Sequence, residues 1–240
     1  MRTIKIANGQ GFWGDSIDAP VNLIEYGDFD YLTLDYLAEV TLSIMQRQKN
    51  KNPKKGYATD FVSLMKKVML NIKVKNIKII TNAGGVNPEE CKNELLKIAK
   101  KNNVNLKIAI IKGDDILNRL YQFHKKGISF SNMDNQESFE NIKDHIYSAN
   151  VYIDSFSIAE ALKKGADIVL AGRVSDPGLT VGPAIYEFNW KTRHKKPDGS
   201  YKWHTPGFLK TKVLKDGTHQ LLVSINGLNY LKKLRSILMQ

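Results

Sequence analysis

Residues 76–101, NIKIITNAGGVNPEECKNELLKIAKK, contain a strand pattern, a glycine turn and the start of a helix in one uninterrupted run. The isoleucine-rich residues 77–80 predict a short buried strand, because β-branched side chains suit a pleated and packed surface. Glycines within residues 82–85 then predict a turn. Asn87 precedes a proline and stands three residues before Glu90, a spacing that predicts a helix N-terminus with a capping box.

The helix that follows carries apolar residues at one face. Cys91, Leu95, Ile98 and Ala99 recur at helical spacing, so this face is expected to pack back on the strand. Similar strand patterns occur over residues 3–8, 31–34, 106–111 and 167–171. Because strands alternate with helices along the chain, we predict an α/β fold with an open, mainly parallel, Rossmann-like sheet and helices on both faces.

Further helices are indicated by apolar periodicity between the strands. We predict them over residues 21–25, 37–49, 61–72, 116–120, 137–142, 158–164 and 179–186. Thr59 or Asp60 is the expected cap of the third helix in the chain, and Ser157 with Glu160 forms the expected capping box of the helix at 158–164. Residues 124–145 lack clear periodicity and are interpreted as a mobile insertion.

The positive charge of the chain is concentrated near its end. The net charge is +12, and residues 191–240 hold 11 Lys and Arg against 2 Asp, whereas residues 1–190 hold 25 Lys and Arg against 22 Asp and Glu. We therefore divide the chain into an α/β domain, residues 1–190, and a basic C-terminal segment, residues 191–240. Aromatic residues alternate with lysines in that segment, but a basic run is most often a solvated face, so nucleic acid is not favoured as a partner.

Composition excludes several other classes of protein. No apolar run approaches the length of a membrane span, and no signal-peptide core precedes the first strand, so we expect a cytoplasmic protein without a membrane partner. The one cysteine, Cys91, cannot form an internal disulfide or a cysteine metal cluster, and its helical position predicts a packed thiol. The sequence leaves open whether the chain forms a homo-oligomer.

Five polar turns follow the five predicted strands, at residues 8–15, 35–36, 82–87, 113–115 and 172–176. In a parallel sheet these turns gather at one edge, which is where open α/β sheets bind ligands. Four aspartates are therefore candidate catalytic residues, as general acids or bases: Asp15, Asp35, Asp114 and Asp176. The same carboxylates suit a divalent metal such as Mg²⁺, so the cofactor and the metal ligands stay open.

The same turns supply candidate ligand-binding residues. Arg173 suits recognition of a phosphate or carboxylate through its planar guanidinium group. The other candidates are amides and glycines of the turns: Asn8, Gly9, Gly11, Asn82, Gly84, Gly85, Asn87, Gly113 and Gly172. Glycines 9, 11 and 14 match the spacing of a dinucleotide fingerprint, but a plain turn with a packed Phe12-Trp13 pair explains them equally well.

Long stretches of the chain resemble the acyclic terpene utilisation (AtuA-like) family. They are NGQGFWGDSIDAPVNLIEYGDFDYLTLDYLAEVTLSIM, GYATDF, TNAGGVNP, GDDI and ADIVLAGRVSDPGLTVGPAIYEFNW, and they cover most of residues 3–190. The resemblance implies a cytoplasmic protein associated with the breakdown of acyclic terpenes, a route whose intermediates are carried as coenzyme A thioesters. It implies no settled reaction and no catalytic residues. The resemblance ends near Trp190, so residues 191–240 are interpreted as a truncation, a deletion or a genuine divergence.

Two functions are therefore expected from the sequence. The first is an enzyme, or the binding half of one, that acts on a small anionic metabolite such as an acyl-CoA thioester. Its phosphates would match Arg173 and the glycine turns. The alternative is a truncated, non-catalytic homologue that keeps the fold and binds the ligand.

Overall fold

The computed structural model describes residues 3–190 and, beyond them, the backbone of four short strands within residues 191–240. Its centre is a sheet of five parallel strands in the order β1-β2-β3-β5-β4. These strands are β1 (Ile6–Gln10), β2 (Tyr31–Leu34), β3 (Lys78–Thr81), β4 (Ile108–Ile111) and β5 (Ile168–Ala171). The predicted α/β fold with a parallel sheet is confirmed.

Eight α-helices occur in the described part of the chain. They are α1 (Asp18–Tyr26), α2 (Glu39–Lys51), α3 (Thr59–Val74), α4 (Pro88–Lys101), α5 (Leu120–Lys125), α6 (Phe139–Ile142), α7 (Phe156–Lys163) and α8 (Gly178–Phe188). Short 3₁₀ turns precede α5 at Leu117–Arg119 and follow α6 at Lys143–His145. Helices α1, α3 and α4 pack on one face of the sheet, and α7 and α8 pack on the other. The predicted covering of both faces is confirmed.

Alternate side chains of each central strand enter two different cores. In β3, Ile79 packs with α3 and α4, whereas Ile80 packs with α7 and α8, and both side chains are fully buried. A buried isoleucine contributes roughly 1.5–3 kcal/mol relative to an exposed one, so both faces stabilise the sheet. Cys91 is likewise buried among apolar residues, and burial raises the pKa of its thiol to about 12, as expected for a packed thiol.

Helix starts differ from the predictions in three places. Ser157 lies inside α7, whose N-cap is Ser155, so the capping box predicted there is wrong. The turn before α7 is instead held by Asp154, whose carboxylate accepts a hydrogen bond from the backbone N–H of Phe156. Helix α3 starts one residue early, with Ala58 at its N-cap.

Asn87 occupies the predicted N-cap position of α4, but its side chain makes no cap hydrogen bond. Its amide donates instead to the carbonyl oxygens of Pro53, at 2.8 Å, and Lys55, at 2.7 Å. The reason is tertiary, because residues 53–55 run past the start of the helix and present their carbonyl groups to the Asn87 amide. Asn87 therefore joins two loops rather than ending a helix.

Two further segments were predicted only in outline. The short helix expected near 137–142 is α6, and Phe139 at its start packs on Ile116 and Leu120 in a small separate core. In the basic segment, antiparallel strands form at His194–Lys195 with Tyr201–Lys202, and at Phe208–Val213 with His219–Ser224. The sequence of the basic segment predicts a strand-like stretch at 209–225 with a turn at 216–217, and a helix that opens near 229. The pair of strands at Phe208–Val213 and His219–Ser224 confirms the strand-like stretch, whereas the turn and the helix lie outside the described residues.

Within the described residues, no helix combines the length and the apolar character that crossing a bilayer requires.

Candidate functional site

The polar turns meet at one edge of the sheet, as predicted. Backbone hydrogen bonds join the ends of neighbouring strands there: Asp35 N–H donates to Gln10, and Gly172 N–H donates to Ile111. The chain leaves β3 toward α4 on one face of the sheet and leaves the adjacent β5 toward α8 on the other. This divergence is a topological switch point, the position at which open α/β sheets leave a crevice for a ligand.

Arg173 lies at this switch point, directly after Gly172, the glycine that follows β5. Its side chain is only 7% exposed. The guanidinium group donates from Nη1 to the Val174 carbonyl and to Asp176 Oδ1, each at 3.3 Å, and from Nη2 to the Tyr152 hydroxyl at 3.1 Å. Among the described residues, its Nε has no hydrogen-bond partner. The guanidinium therefore keeps one buried donor unsatisfied, which is an uncommon and costly state.

Residues 149–154, which we call the strap, cross the edge above β4 and β5. Val151 N–H donates to the Asp114 carbonyl, and Ile153 N–H donates to the Arg173 carbonyl, so the strap is pinned at two turns. Between these bonds the Tyr152 ring lies with its centre 4.6 Å from the Arg173 guanidinium carbon, within the range of a cation–π contact. The strap thus covers the arginine with an aromatic ring.

Glu39, the first residue of α2, completes this group. Its Oε1 accepts a hydrogen bond from the Tyr152 hydroxyl at 2.9 Å and lies 3.6 Å from Arg173 Nη2. The pKa of the Glu39 carboxyl is lowered by a hydrogen bond from its own backbone N–H, by Tyr152 and by the charge of Arg173. Glu39, Tyr152 and Arg173 are therefore linked by hydrogen bonds from the surface to the buried guanidinium.

The two carboxylates paired with Arg173 lie at the surface. The side chain of Glu39 is 76% exposed and that of Asp176 is 79% exposed, in contrast to the buried guanidinium. Exposed ion pairs are weak, on the order of 0–1 kcal/mol, because water and salt screen them. An incoming anion can therefore replace either carboxylate at small cost.

Asp114 is buried behind the same turn and holds it in shape. Its Oδ2 accepts hydrogen bonds from the backbone N–H of Arg173 at 2.9 Å and from Asn150 Nδ2 at 3.0 Å. A Cβ at Gly172 would overlap the Asp114 carboxylate. Gly172, predicted to leave room for a ligand, thus leaves room for Asp114.

Asp35 and Asn82 form a second hydrogen-bonded pair, at the ends of β2 and β3. Asn82 Nδ2 donates to Asp35 Oδ1 at 2.7 Å, and Asn82 Oδ1 accepts the backbone N–H of Tyr36 at 2.7 Å. Asp35 also accepts the N–H of Leu37 at 3.2 Å. Both predicted site residues are therefore occupied in joining the two turns. Beside them, burial raises the pKa of Tyr36 above its usual range, and its hydroxyl has no hydrogen-bond partner in the part of the chain that the structure describes.

The glycine-rich turn after β1 closes on a carboxylate of its own. Asp15 accepts the N–H of Gly11 at 3.2 Å and the N–H of Ser16 at 2.9 Å. Gly9 lies inside β1, where a Cβ would come within 2.9 Å of Pro20 Cβ on α1. The glycines thus serve a tight turn and a close helix contact, as the plain-turn alternative expects. The packed Phe12-Trp13 pair of that alternative is wrong for Phe12, which is 61% exposed, whereas Trp13 packs against the core.

The remaining candidates have local roles. Gly84 packs on Pro88, and Gly85, with a φ of 53°, faces Met45. Gly113 has a φ of 126° and open space around it, and Asn8 is exposed on the edge strand. Within the described residues, no group of three or more His, Cys, Asp or Glu side chains is arranged to hold a metal ion.

Sequence reasoning missed Glu39, Tyr152 and Asn150. Glu39 looked like an ordinary acidic residue near the start of a helix, and residues 149–154 showed no periodicity. The pairing of Tyr152 with Glu39 spans 113 positions of the chain, so no local pattern could reveal it. The usable signal was that Glu39 stands shortly after the turn at 35–36, which places it near the carboxyl edge of the sheet.

Comparison with known protein families gives a match over most of the chain. The model of the family described as acyclic terpene utilisation family protein AtuA matches residues 4–196. Searches of curated proteins and of solved structures returned no match.

Proposed function

The chain belongs to the acyclic terpene utilisation family AtuA, and on that premise we propose that it binds a small anionic metabolite, such as an acyl-CoA thioester, at the switch point beside Arg173. The family connects the protein with the utilisation of acyclic terpenes. We further propose that the protein acts in cytoplasmic terpene or isoprenoid catabolism and that residues 1–190 form its ligand-binding domain.

The observation that carries this proposal is the state of Arg173. A guanidinium that is 7% exposed, with an unpartnered Nε and two surface carboxylates as its counterions, is a cation with an incomplete and exchangeable shell. A phosphate or carboxylate presents two acceptor oxygens to such a group and satisfies two donors at once. The switch point provides the place and Arg173 provides the charge.

Exchange of partners supplies the binding energy. A charge-assisted hydrogen bond contributes about 1.5–3 kcal/mol, whereas an exposed ion pair contributes about 0.2–1 kcal/mol. Replacing Glu39 or Asp176 with a ligand phosphate that is held away from water therefore gives a net gain. The Tyr152 ring has to shift with Glu39, because it lies against the guanidinium and bonds to that carboxylate.

A second candidate function is ligand binding without turnover. It is favoured by the hydrogen bonds of the predicted catalytic aspartates, since Asp15, Asp35 and Asp114 each accept backbone N–H groups that hold their turns. Asp176 is the exposed exception, and it pairs with Arg173. Incubation of the protein with acetyl-CoA, with and without Mg²⁺, separates the two: product formation that Asp176→Asn abolishes supports an enzyme, and unchanged acetyl-CoA supports a binding protein.

The test of binding is a calorimetric titration of coenzyme A and acetyl-CoA into the wild-type protein and Arg173→Lys. The substitution keeps a positive charge but removes the planar fork, so we expect an affinity loss of about tenfold to a hundredfold. Arg119→Lys is the matched control, because Arg119 stands on an exposed 3₁₀ turn outside the site. A large fall in melting temperature of Arg173→Lys with unchanged affinity would instead assign Arg173 to structure.

A further inference from the structure

A groove of about 560 Å³ lies between helix α2 and residues 145–148, the segment that leads into the strap. Its volume is in the range of pockets that hold small organic ligands. The helix contributes Ser43, Gln46, Arg47 and Asn50, which recur at helical spacing on one side of α2. Glu39 stands one turn before Ser43 on the same side. The groove is therefore an extension, along α2, of the charged group at Arg173.

Two basic side chains line the groove. Arg47 is exposed on α2, and His145 lies on the other wall. Among the residues that the structure describes, neither side chain has a carboxylate within ion-pairing distance, whereas Lys97, Lys143 and Lys164 each pair with a glutamate on the surface. An arginine without a counterion, with the N–H of a histidine ring as a second donor on the facing wall, forms a place where an anionic group gains more than it loses.

An aromatic ring and amide groups accompany these charges. Tyr147 lines the groove and is 70% exposed, so one face of its ring is open for stacking. Gln46 and Asn50, bonded to each other at 2.9 Å, supply amide donors and acceptors along the helix wall. Exposed aromatic rings bind flat bases by stacking, and amides read the polar edge of a base.

We propose that this groove binds an adenine nucleotide group, with its phosphate on Arg47 and His145 and its base on Tyr147. The inference rests on the function proposed above, since the nucleotide is the carrier end of the ligand whose other phosphates reach Arg173. The spacing agrees with one ligand on both positions. Glu39 and Arg47 are eight residues apart on α2, a rise of about 12 Å.

The test is an NMR titration with adenosine 5′-monophosphate, which carries the base and one phosphate but is too short to span both positions. The wild-type protein is expected to show shifts at α2 and at residues 145–148. Arg47→Gln should reduce the affinity for this nucleotide about tenfold, in line with loss of one charge-assisted contact. Tyr147→Leu should reduce it by about as much, because a leucine fills space but cannot stack.

Arg119→Gln serves as the matched loss of an exposed arginine outside the groove and should leave the affinity unchanged. Inorganic pyrophosphate, titrated in parallel, reports on Arg173 without the base. Pyrophosphate binding that Arg173→Lys weakens and Arg47→Gln spares supports the Arg173 site, and nucleotide binding that Arg47→Gln and Tyr147→Leu weaken supports the groove. Absence of nucleotide binding, or equal binding by wild-type protein and Arg47→Gln, overturns the groove and leaves the Arg173 proposal to be judged by pyrophosphate alone.

Discussion

Replacing Glu39 with glutamine removes the negative charge next to Arg173. It keeps the shape of the side chain and an oxygen that accepts a hydrogen bond from the Tyr152 hydroxyl. If the Glu39 carboxylate is a counterion that a ligand phosphate must displace, Glu39→Gln removes a competitor. The affinity for coenzyme A should then rise. If Arg173 serves only to hold the turns together, the same substitution has no reason to strengthen binding.

The size of the effect follows from the geometry. Glu39 Oε1 lies 3.6 Å from Arg173 Nη2, and the Glu39 side chain is 76% exposed. Exposed pairs of this kind contribute about 0.2–1 kcal/mol. Since 1.4 kcal/mol corresponds to a factor of ten, the expected gain in affinity is between about 1.4-fold and fivefold. The gain should shrink as salt is added, because salt already screens the competing pair.

The assay is calorimetric titration of coenzyme A at low and high salt, with wild-type protein, Glu39→Gln and a control. Glu94→Gln is the matched control, because Glu94 pairs with Lys97 on the surface of α4 and does not approach Arg173. Weaker binding by Glu39→Gln, or an equal change in both variants, would refute the view that a ligand displaces this carboxylate.

Two predictions concern the parts of the fold that hold the site. Burial would raise the pKa of Asp167, but the N–H of Lys107 and the ammonium groups of Lys78 and Lys73 outweigh it and lower the pKa below its ordinary value of 3.8. This stabilisation is present above pH 3.8 and is lost as the pH falls through the folded-state pKa. In urea denaturation, the free energies of unfolding of the wild type and Asp167→Asn should therefore converge in acid. A difference that stays constant with pH would contradict this. Gly172→Ala should lower the free energy of unfolding by about 1–3 kcal/mol, because its Cβ meets the Asp114 carboxylate. Gly11→Ala, with open space around it, should change the free energy of unfolding little. Equal effects of the two substitutions in chemical denaturation would contradict the packing role of Gly172.

The strands and their edge could be predicted from the sequence because they depend on local patterns. In the run at 77–80, Ile79 enters one core and Ile80 the other, and β2 covers the residues 31–34 that its pattern predicts. Parallel pairing then follows from the alternation of strands with helices, since crossovers of that length return the chain in the same direction. The position of every turn at one edge is a consequence of that topology.

The roles of individual polar residues could not be predicted in the same way. Asn87 has the sequence context of a helix cap, yet its amide bonds to carbonyl groups more than thirty positions away. Gly172 looked like an approach for a ligand, yet the atoms that fill its space belong to Asp114. A side chain with two hydrogen-bonding options takes the one that buried partners require, and those partners are set by tertiary packing.

Arg173 shows both the reach and the end of sequence reasoning. Its place after β5 was predicted from the strand pattern, and Asp176, another candidate in the same turn, accepts a hydrogen bond from it. Its other contacts come from α2 and from the strap, which are distant in the chain and carried no motif. The role of Arg173 as an anion anchor stays a prediction.

That role is tested most directly by the NMR signal of the Arg173 side-chain Nε–H group during a titration with coenzyme A. This group has no partner in the structure, so a phosphate bound to the guanidinium gives it one or changes the bonds beside it. We predict that the Nε–H signal shifts and that this shift saturates together with binding. Glu94→Gln should show the same shift whenever it binds coenzyme A. Binding of coenzyme A that leaves the Arg173 Nε–H signal in place would contradict the account.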